Sequence, residues 1–436
     1  MAAARDYVGA HARWRQRYGP VYTVRDVTGT TVMIADPELT RTVFATADPD
    51  AFEAVAPATF DVLLGRRSLL LLSGRAHRRE RKLLRAPFCP RALGAWSESM
   101  AQITREQFGA GAVGERVEVV ARSRRVTLEV IVRVIFGADA SQVEAFVEVV
   151  EAMMGAFNPA FFMGPAGRRR VLGYERYRLA SAHLDILLMA QIQRARAEAG
   201  TGSGRGDLLS RLIAAGAGED AELQDEAIRD ELRTLLIGGH ETTTVSLAWA
   251  LHYLGRDPAL RERLRAELRE LGVRPGNPSN HELGPKAPLM QAVIAETLRI
   301  RPAAGQVFRT LAKPMVVGDW VLPAGVVVSP SITLIHHDPA LYPDPERFDP
   351  ERFLGERPKP GTYFPFGGGA HRCLGAEFSR LELAVALTTL LTEFELELER
   401  GSPIPWRRTG LTLGPAKGIW MRRRDRSDVD QLAAAE

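Results

Sequence analysis

Cysteine is nearly absent from this chain of 436 residues; only Cys89 and Cys373 occur. Two cysteines give no disulfide framework, which fits a reducing compartment. Long apolar runs are missing too. No stretch of about 18 or more consecutive apolar residues occurs, so no membrane span is expected. The opening MAAARDYVGAHARWRQRYG is charged and lacks the apolar core of a secretory signal. Excess charge is small, a formal +4, and carried by arginine, so it argues for no nucleic-acid partner. No internal repeat stands out. The Gly/Pro/polar stretches at 200–206 and 272–288 are too short to separate domains. One α-rich domain over 1–436 is therefore expected in the cytoplasm, with 423–436 as a flexible tail.

What is present concentrates near the end, in Tyr363-Phe364-Pro365-Phe366-Gly367-Gly368-Gly369-Ala370-His371-Arg372-Cys373-Leu374-Gly375. Three consecutive glycines let backbone approach something flat and bulky. An Ala- and Leu-rich run of helical character follows, with Leu381–Leu391 at its centre. A cysteine just before a helix meets unpaired N–H groups and the positive helix end, which favour thiolate. A thiolate with donors aimed at it is a good soft-metal ligand. A small buried cysteine in a turn is the plainer alternative.

A second unusual stretch is Leu236-Ile237-Gly238-Gly239-His240-Glu241-Thr242-Thr243-Thr244, inside the longest helical candidate, 220–254. Two Gly and three Thr are poor mid-helix chemistry. Such a local violation within a strong pattern marks a functional site, or a kink with Ser/Thr back-bonding. Glu296-Thr297-Leu298-Arg299 places a Glu–Arg pair at i,i+3 on a helix expected over 289–300. On a surface such a pair contributes only about 0.2–0.5 kcal/mol. Flanking Ile294, Leu298 and Ile300 argue for burial, which demands further partners. His77 and Arg81 share one face of a helix expected over 73–85, while Arg78, Arg79, Lys82 and Arg85 turn to a basic surface.

These stretches together resemble the cytochrome P-450 family. Phe366, Gly369, Cys373 and Gly375 fill its F-x-x-G-x-x-x-C-x-G pattern. Gly238, Gly239, Glu241, Thr242 and Thr243 fill A/G-G-x-D/E-T-T, and Glu296 and Arg299 fill E-x-x-R. Phe348-Asp349-Pro350-Glu351-Arg352-Phe353 matches the family's meander. The resemblance implies a mainly α fold with small β-sheets, and haem b between a long central helix and the cysteine loop with its following helix. It implies Cys373 as the axial thiolate of haem iron, with Phe366 packed beside the sulfur. It implies His77, Arg81, Arg309 and His371 as propionate donors, a dianion needing donors when buried. Arg372 competes with His371 for that role, and position favours His371. Thr242 is implied as a hydrogen-bonding partner of activated dioxygen, Glu241 as a proton relay, and Glu296, Arg299 and Arg352 as a structural network. The family loosens its central helix beside these residues to make a groove for O2.

The activity implied is insertion of one oxygen atom from O2 into an apolar small molecule: a terpenoid, fatty acyl, steroid or polyketide-like compound. Electrons come from a separate ferredoxin and ferredoxin reductase, and a monomer is expected. The alternatives are a peroxide-driven or rearranging haem-thiolate enzyme, disfavoured by the Glu241–Thr242 pair, and a non-catalytic haem sensor. Residues 50–74, 150–180, 302–308 and 410–414 are where substrate is chosen. The resemblance implies that the apolar-then-basic loop Phe157–Arg170 is a lid, which could receive a long-chain carboxylate or touch a membrane surface; a plain loop with a solvated helix start is the simpler reading of its residues. Val316–Val328 reads as two strands joined through Pro323-Ala324-Gly325. His336-His337 reads as a structural pair on opposite faces of a strand.

Overall fold

Aspartate followed by proline starts two helices by the same chemistry. Asp36 accepts from Leu39 N at 2.9 Å and begins Pro37–Phe44; Asp257 accepts from Leu260 N at 2.9 Å and begins Pro258–Glu270. In each, a side chain satisfies an orphan N–H while proline sits where no N–H is needed. The computed structural model describes residues 6–157, 171–200, 207–216, 224–274, 286–399 and 401–425, less short breaks at 27–28, 49, 55–56, 86–87, 89–93, 356–357, 402–403 and 410–411. Cys89, the Arg168–Arg170 triplet and the end of the tail lie outside the described residues.

The fold is mostly helical. A helix of 32 residues, Asp225–Arg256, runs through it and buries Leu232, Leu236, Trp249 and Leu254. Helices Val119–Val130, Pro288–Ile300 and Ala376–Glu393 pack around this central helix. Thr127 fixes the first of these, lying 2.7 Å from Thr244 Oγ1 and donating to His240 O at 3.2 Å. Thr243 Oγ1 and Ser379 Oγ, 3.2 Å apart, tie in the helix that follows the cysteine loop.

The sheets are small. Strands Val21–Asp26, Gly29–Ile34, Val327–Pro330, Arg309–Leu311 and Phe52–Glu53 lie side by side in that order. The first two form an antiparallel hairpin, and Gly29–Ile34 pairs in parallel with Val327–Pro330. Trp406–Thr409 and Thr412–Pro415 make a separate antiparallel hairpin. Arg116–Glu118, Trp420–Arg424 and Glu395–Leu398 form a three-stranded sheet.

Three local expectations need correction. Met315–Val317 and Trp320–Leu322 pair across Gly318-Asp319, while Pro323-Ala324-Gly325 leads to a third strand in the other sheet. The stretch 117–136, whose apolar spacing reads as a single helix, is strand, then helix Val119–Val130, then a π-turn over Ile131–Ile135, closed by Phe136 N donating to Ile131 O at 3.1 Å. His336 ends a short helix, Ile332–His336, rather than lying in a strand. It accepts from Phe364 N at 3.0 Å, and His337 Nδ1 lies 2.9 Å from Thr333 O. Their structural reading survives on different geometry.

Candidate functional site

The cysteine loop is held by its own backbone and by the start of the chain. Cys373 N donates to Phe366 O at 2.9 Å. Gly369 has φ +67, which an L side chain rarely adopts, and a Cβ there would run into the Phe44 carbonyl. At Gly368 a Cβ would meet the Phe44 ring. The Arg380 guanidinium lies 5.1 Å from the centre of the Phe366 ring. Gly375 is the N-cap residue of Ala376–Glu393.

Cys373 is a free, accessible thiol, yet burial among protein atoms is the largest influence on its pKa and pushes it up. The Gly375 N–H, Arg372 and Arg81 act in the opposite sense. The helix start therefore favours thiolate as its position suggested, but desolvation by the surrounding protein atoms outweighs it. The Cys373 thiol is thus exposed while closely surrounded by protein atoms. The central helix has an exposed position too. Gly238 is exposed in the middle of an otherwise buried helix, and a Cβ there would meet nothing within 4 Å. Leu235, Gly238, Gly239 and Thr242 fall at i, i+3, i+4 and i+7, one accessible face.

Four implied propionate donors come together. His77 and His371 stack with ring centroids 4.0 Å apart. Arg309 Nη2 lies 3.5 Å from Gly368 O, and Arg81 donates to Arg372 O. A small cavity is lined by Phe44, His77, Arg309, Gly369 and His371. Burial first, then mutual repulsion, lowers three of these pKa values: His77 to about 4, His371 to about 3 and Arg309 to about 10; burial also lowers that of Arg81, with Cys373 opposing and Arg85 and Arg372 adding to the fall. Two guanidinium groups beside two neutral imidazoles, with no carboxylate among the named influences on His77, His371 or Arg309, make a cluster of donors shaped for an anion. Arg372 instead turns outward to Glu377 at 3.0 Å, which leaves His371 facing the cluster. The accessible thiol, the open Gly238 face and the cationic cluster all fit haem b.

Beside Gly238, Thr242 Oγ1 donates to Gly238 O at 2.6 Å. Thr244 and Ser246 make the same bond one turn back, to His240 O and Thr242 O at 2.8 Å each. The helix stays continuous here, so the loosening implied by resemblance gives way to back-bonding within an unbroken helix. Glu241 is half-buried, its pKa raised by burial and opposed by Arg124. Gly239 leaves room for Ile131 of the π-turn, whose Cδ1 would stand 3.2 Å from a Cβ at that position.

The buried pair beyond the loop has its partners. Arg299 donates to both Glu296 oxygens at 2.6 and 2.8 Å, and to His336 O and Pro345 O at 2.7 and 2.9 Å. Arg352 Nε lies 3.5 Å from Glu296 Oε1, which also accepts from Asp349 N at 2.9 Å. Sequence reasoning missed another charged group, at the N-terminal half of the central helix. Arg233 donates to Leu63 O at 3.0 Å and Asp185 at 2.6 Å, Asp230 accepts from Arg67 N at 2.9 Å, and Glu231 accepts from Leu69 N at 2.5 Å. Three charges within four buried helical positions were the available signal.

The fold and its cysteine loop place this chain among the haem-thiolate monooxygenases. It belongs to the cytochrome P-450 family, whose model matches residues 5–421. A Mycobacterium tuberculosis chain provisionally named cytochrome P-450 135B1 is 34% identical over 427 residues, covering 97% of this chain and 88% of its own. Another from that organism, provisionally named cytochrome P-450 138, is 31% identical over 94% of this chain and 91% of its own. Among solved structures, the retinoic-acid-bound cyanobacterial CYP120A1 superposes with a TM-score of 0.83 at 28% identity, covering 95% of this chain and 93% of that one. A zebrafish cytochrome P-450 solved with progesterone shares the fold, with a TM-score of 0.82 at 23% identity over 96% of this chain and 99% of that one. Among the described residues no helix is long and apolar enough to cross a membrane.

Proposed function

We propose that this protein inserts one oxygen atom from O2 into an elongated apolar molecule, with electrons delivered by a separate ferredoxin and ferredoxin reductase. The observation that carries the reading is the accessible yet closely surrounded thiol of Cys373, on a loop tied through Ser379 to the Thr243 turn of the central helix. Haem b, when bound, supplies the activation of O2. Cys373 would be its ligand, Arg81 and Arg309 would neutralise its carboxylates, and His77 and His371 would donate hydrogen bonds to them. Phe366 shields the sulfur from water, and Glu296, Arg299 and Arg352 hold the chain behind the loop.

Glu241 and Thr242 handle protons. Burial holds the Glu241 carboxyl above the usual carboxylate range while Arg124 opposes it, so the group leans toward its protonated, proton-donating form. The Thr242 hydroxyl, directed to Gly238 O, faces the open side of the helix and can rotate toward a substrate-side acceptor. The cyanobacterial neighbour was solved with retinoic acid, an isoprenoid acid, and we extend that class to the substrate here.

The test is spectroscopic and then catalytic. Purified protein, reduced and exposed to carbon monoxide, is expected to show the far-red Soret band of thiolate ligation, and Cys373→Ser to lose it. Oxygenated product should require NAD(P)H, reductase, ferredoxin and O2 together. Product formed with peroxide alone, at the same rate, sinks the electron-transfer part of the reading.

A further inference from the structure

A separate cleft opens beside Tyr363 and Arg380, sharing no residue with the cavity at His77, Arg309 and His371. Its volume is about 200 Å³. Helix Pro288–Ile300 contributes Gln291, Ile294 and Ala295, and the turn Pro350–Phe353 contributes Phe353. Tyr363 comes from the start of the cysteine loop and Arg380 from the helix Ala376–Glu393 that follows it. Sites for drug-sized ligands run to roughly 300–1,000 Å³, so this one suits a molecule of one or two rings. The Tyr363 hydroxyl donates to Ala295 O at 3.1 Å and pins the loop to the helix. The Phe353 and Tyr363 rings meet with centroids 4.9 Å apart, tilted by 56°.

The polar groups of this cleft are under-used. Arg380 has a neutral partner in the Tyr363 hydroxyl and only a distant charged one. It reaches Glu377 Oε1 at 3.5 Å, beyond the usual hydrogen-bond range, and Arg372 already holds that oxygen at 3.0 Å. Its guanidinium lies 5.1 Å from the centre of the Phe366 ring, a contact that leaves N–H groups for a stronger acceptor. The Gln291 side chain makes no hydrogen bond among the described residues. A guanidinium takes a carboxylate through two parallel bonds. An aromatic pair takes a further ring in offset or edge contact. Guanidinium and amide beside two rings therefore complement a small planar acid, and an alkyl acid of the same charge would forgo the ring contact.

We propose that Gln291, Phe353, Tyr363 and Arg380 form a binding site for a small aromatic carboxylate, apart from the haem donors and from the open face of the central helix. Arg380 takes the carboxylate, Gln291 donates its amide N–H to it, and the Phe353 and Tyr363 rings face the ring of the ligand. The site goes beyond the oxygen-insertion reading and does not depend on it, because none of these four side chains serves that chemistry.

The experiment titrates haem-loaded, full-length protein at about pH 7 with 2-naphthoate and with 2-naphthylmethanol, its uncharged counterpart. Heat is followed by calorimetry, and the haem Soret band is recorded on the same samples. The acid is ionised at that pH. It is expected to bind at least about ten-fold tighter than the alcohol, the scale of a hydrogen bond to a charged group, and to leave the Soret band in place. Arg380→Gln should level the two affinities. Gln291→Glu, which sets a carboxylate in the cleft, should weaken the acid by a similar factor and spare the alcohol. Ala295→Leu, which fills the cavity, should weaken both. Thermal melts identify the variants that keep the fold, and either Arg380→Gln or Gln291→Glu alone decides. Equal affinity for acid and alcohol in the unaltered protein overturns the proposal, as does an acid preference that survives intact in a folded form of either variant. A Soret shift that tracks acid binding and persists in those variants puts the acid on the substrate side and overturns it as well.

Discussion

Glu241 and Thr242 show how much a neighbour can decide. Arg124, on the adjoining helix, is the charge that favours ionised Glu241 against burial. Removing it by Arg124→Gln should raise the Glu241 pKa, so the alkaline limb of the kcat profile, where the donor loses its proton, should move to higher pH; an unmoved limb would show that Arg124 does not act on the relay. Glu241→Gln should lower kcat by roughly 100-fold, the usual weight of a positioned proton donor. Thr242→Ala removes a hydroxyl whose one side-chain bond among the described residues is to Gly238 O, so the fold should persist while peroxide release rises at the expense of product. Oxygen and NAD(P)H stoichiometry measures that split. The two Thr242 readings, back-bond and catalytic group, are compatible because the back-bonded hydroxyl already lies on the open face.

Elements were legible where the signal was local. Asp36 and Asp257, each followed by proline, mark their helix starts within the sequence itself, and Tyr7–Tyr18 follows from a short basic pattern. The F-x-x-G-x-x-x-C-x-G loop and the Glu296–Arg299 pair were legible as motifs. What stayed hidden depends on distant partners: the π-turn facing Gly239, the hairpin turn at Gly318, and the grip of Arg233 on Leu63 O and Asp185. Breaking the Glu296–Arg299 pair from one side strands a buried charge. Arg299→Ala should cost about 3–5 kcal/mol and appear as a lower Tm. Glu231 offers a pH test. Its pKa stands at about 8, raised by burial from 4.5, with Glu80 and Asp230 adding to the rise and the Leu69 N–H opposing it. The folded state then holds a proton that the unfolded state has lost, so stability falls as pH climbs from about 4.5 to about 8 and levels off above. Thermal melts of Glu231→Gln should lack that decline, and identical pH curves for the two proteins would contradict it.

The whole molecule carries its charge unevenly. Arg78, Arg79, Lys82 and Arg85 are all exposed on the Gly74–Arg85 helix, whose other face brings His77 and Arg81 to the cysteine loop. An acidic ferredoxin docking there would be steered by that patch. Reversing Arg78 and Arg79 together to Glu should raise the apparent KM for ferredoxin and flatten its dependence on salt. Unchanged kinetics would move the docking site elsewhere. Gly368 and Gly369, pressed against Phe44, bear on synthesis. The ring and carbonyl that seat the loop belong to a helix translated early, while the sulfur arrives near the end. The pigment pocket therefore cannot close on a nascent chain still missing its last helix, nor on one whose opening helices have yet to dock. Cofactor loading should mark completion of the polypeptide, and a ribosome-stalled fragment ending before Cys373 should remain colourless.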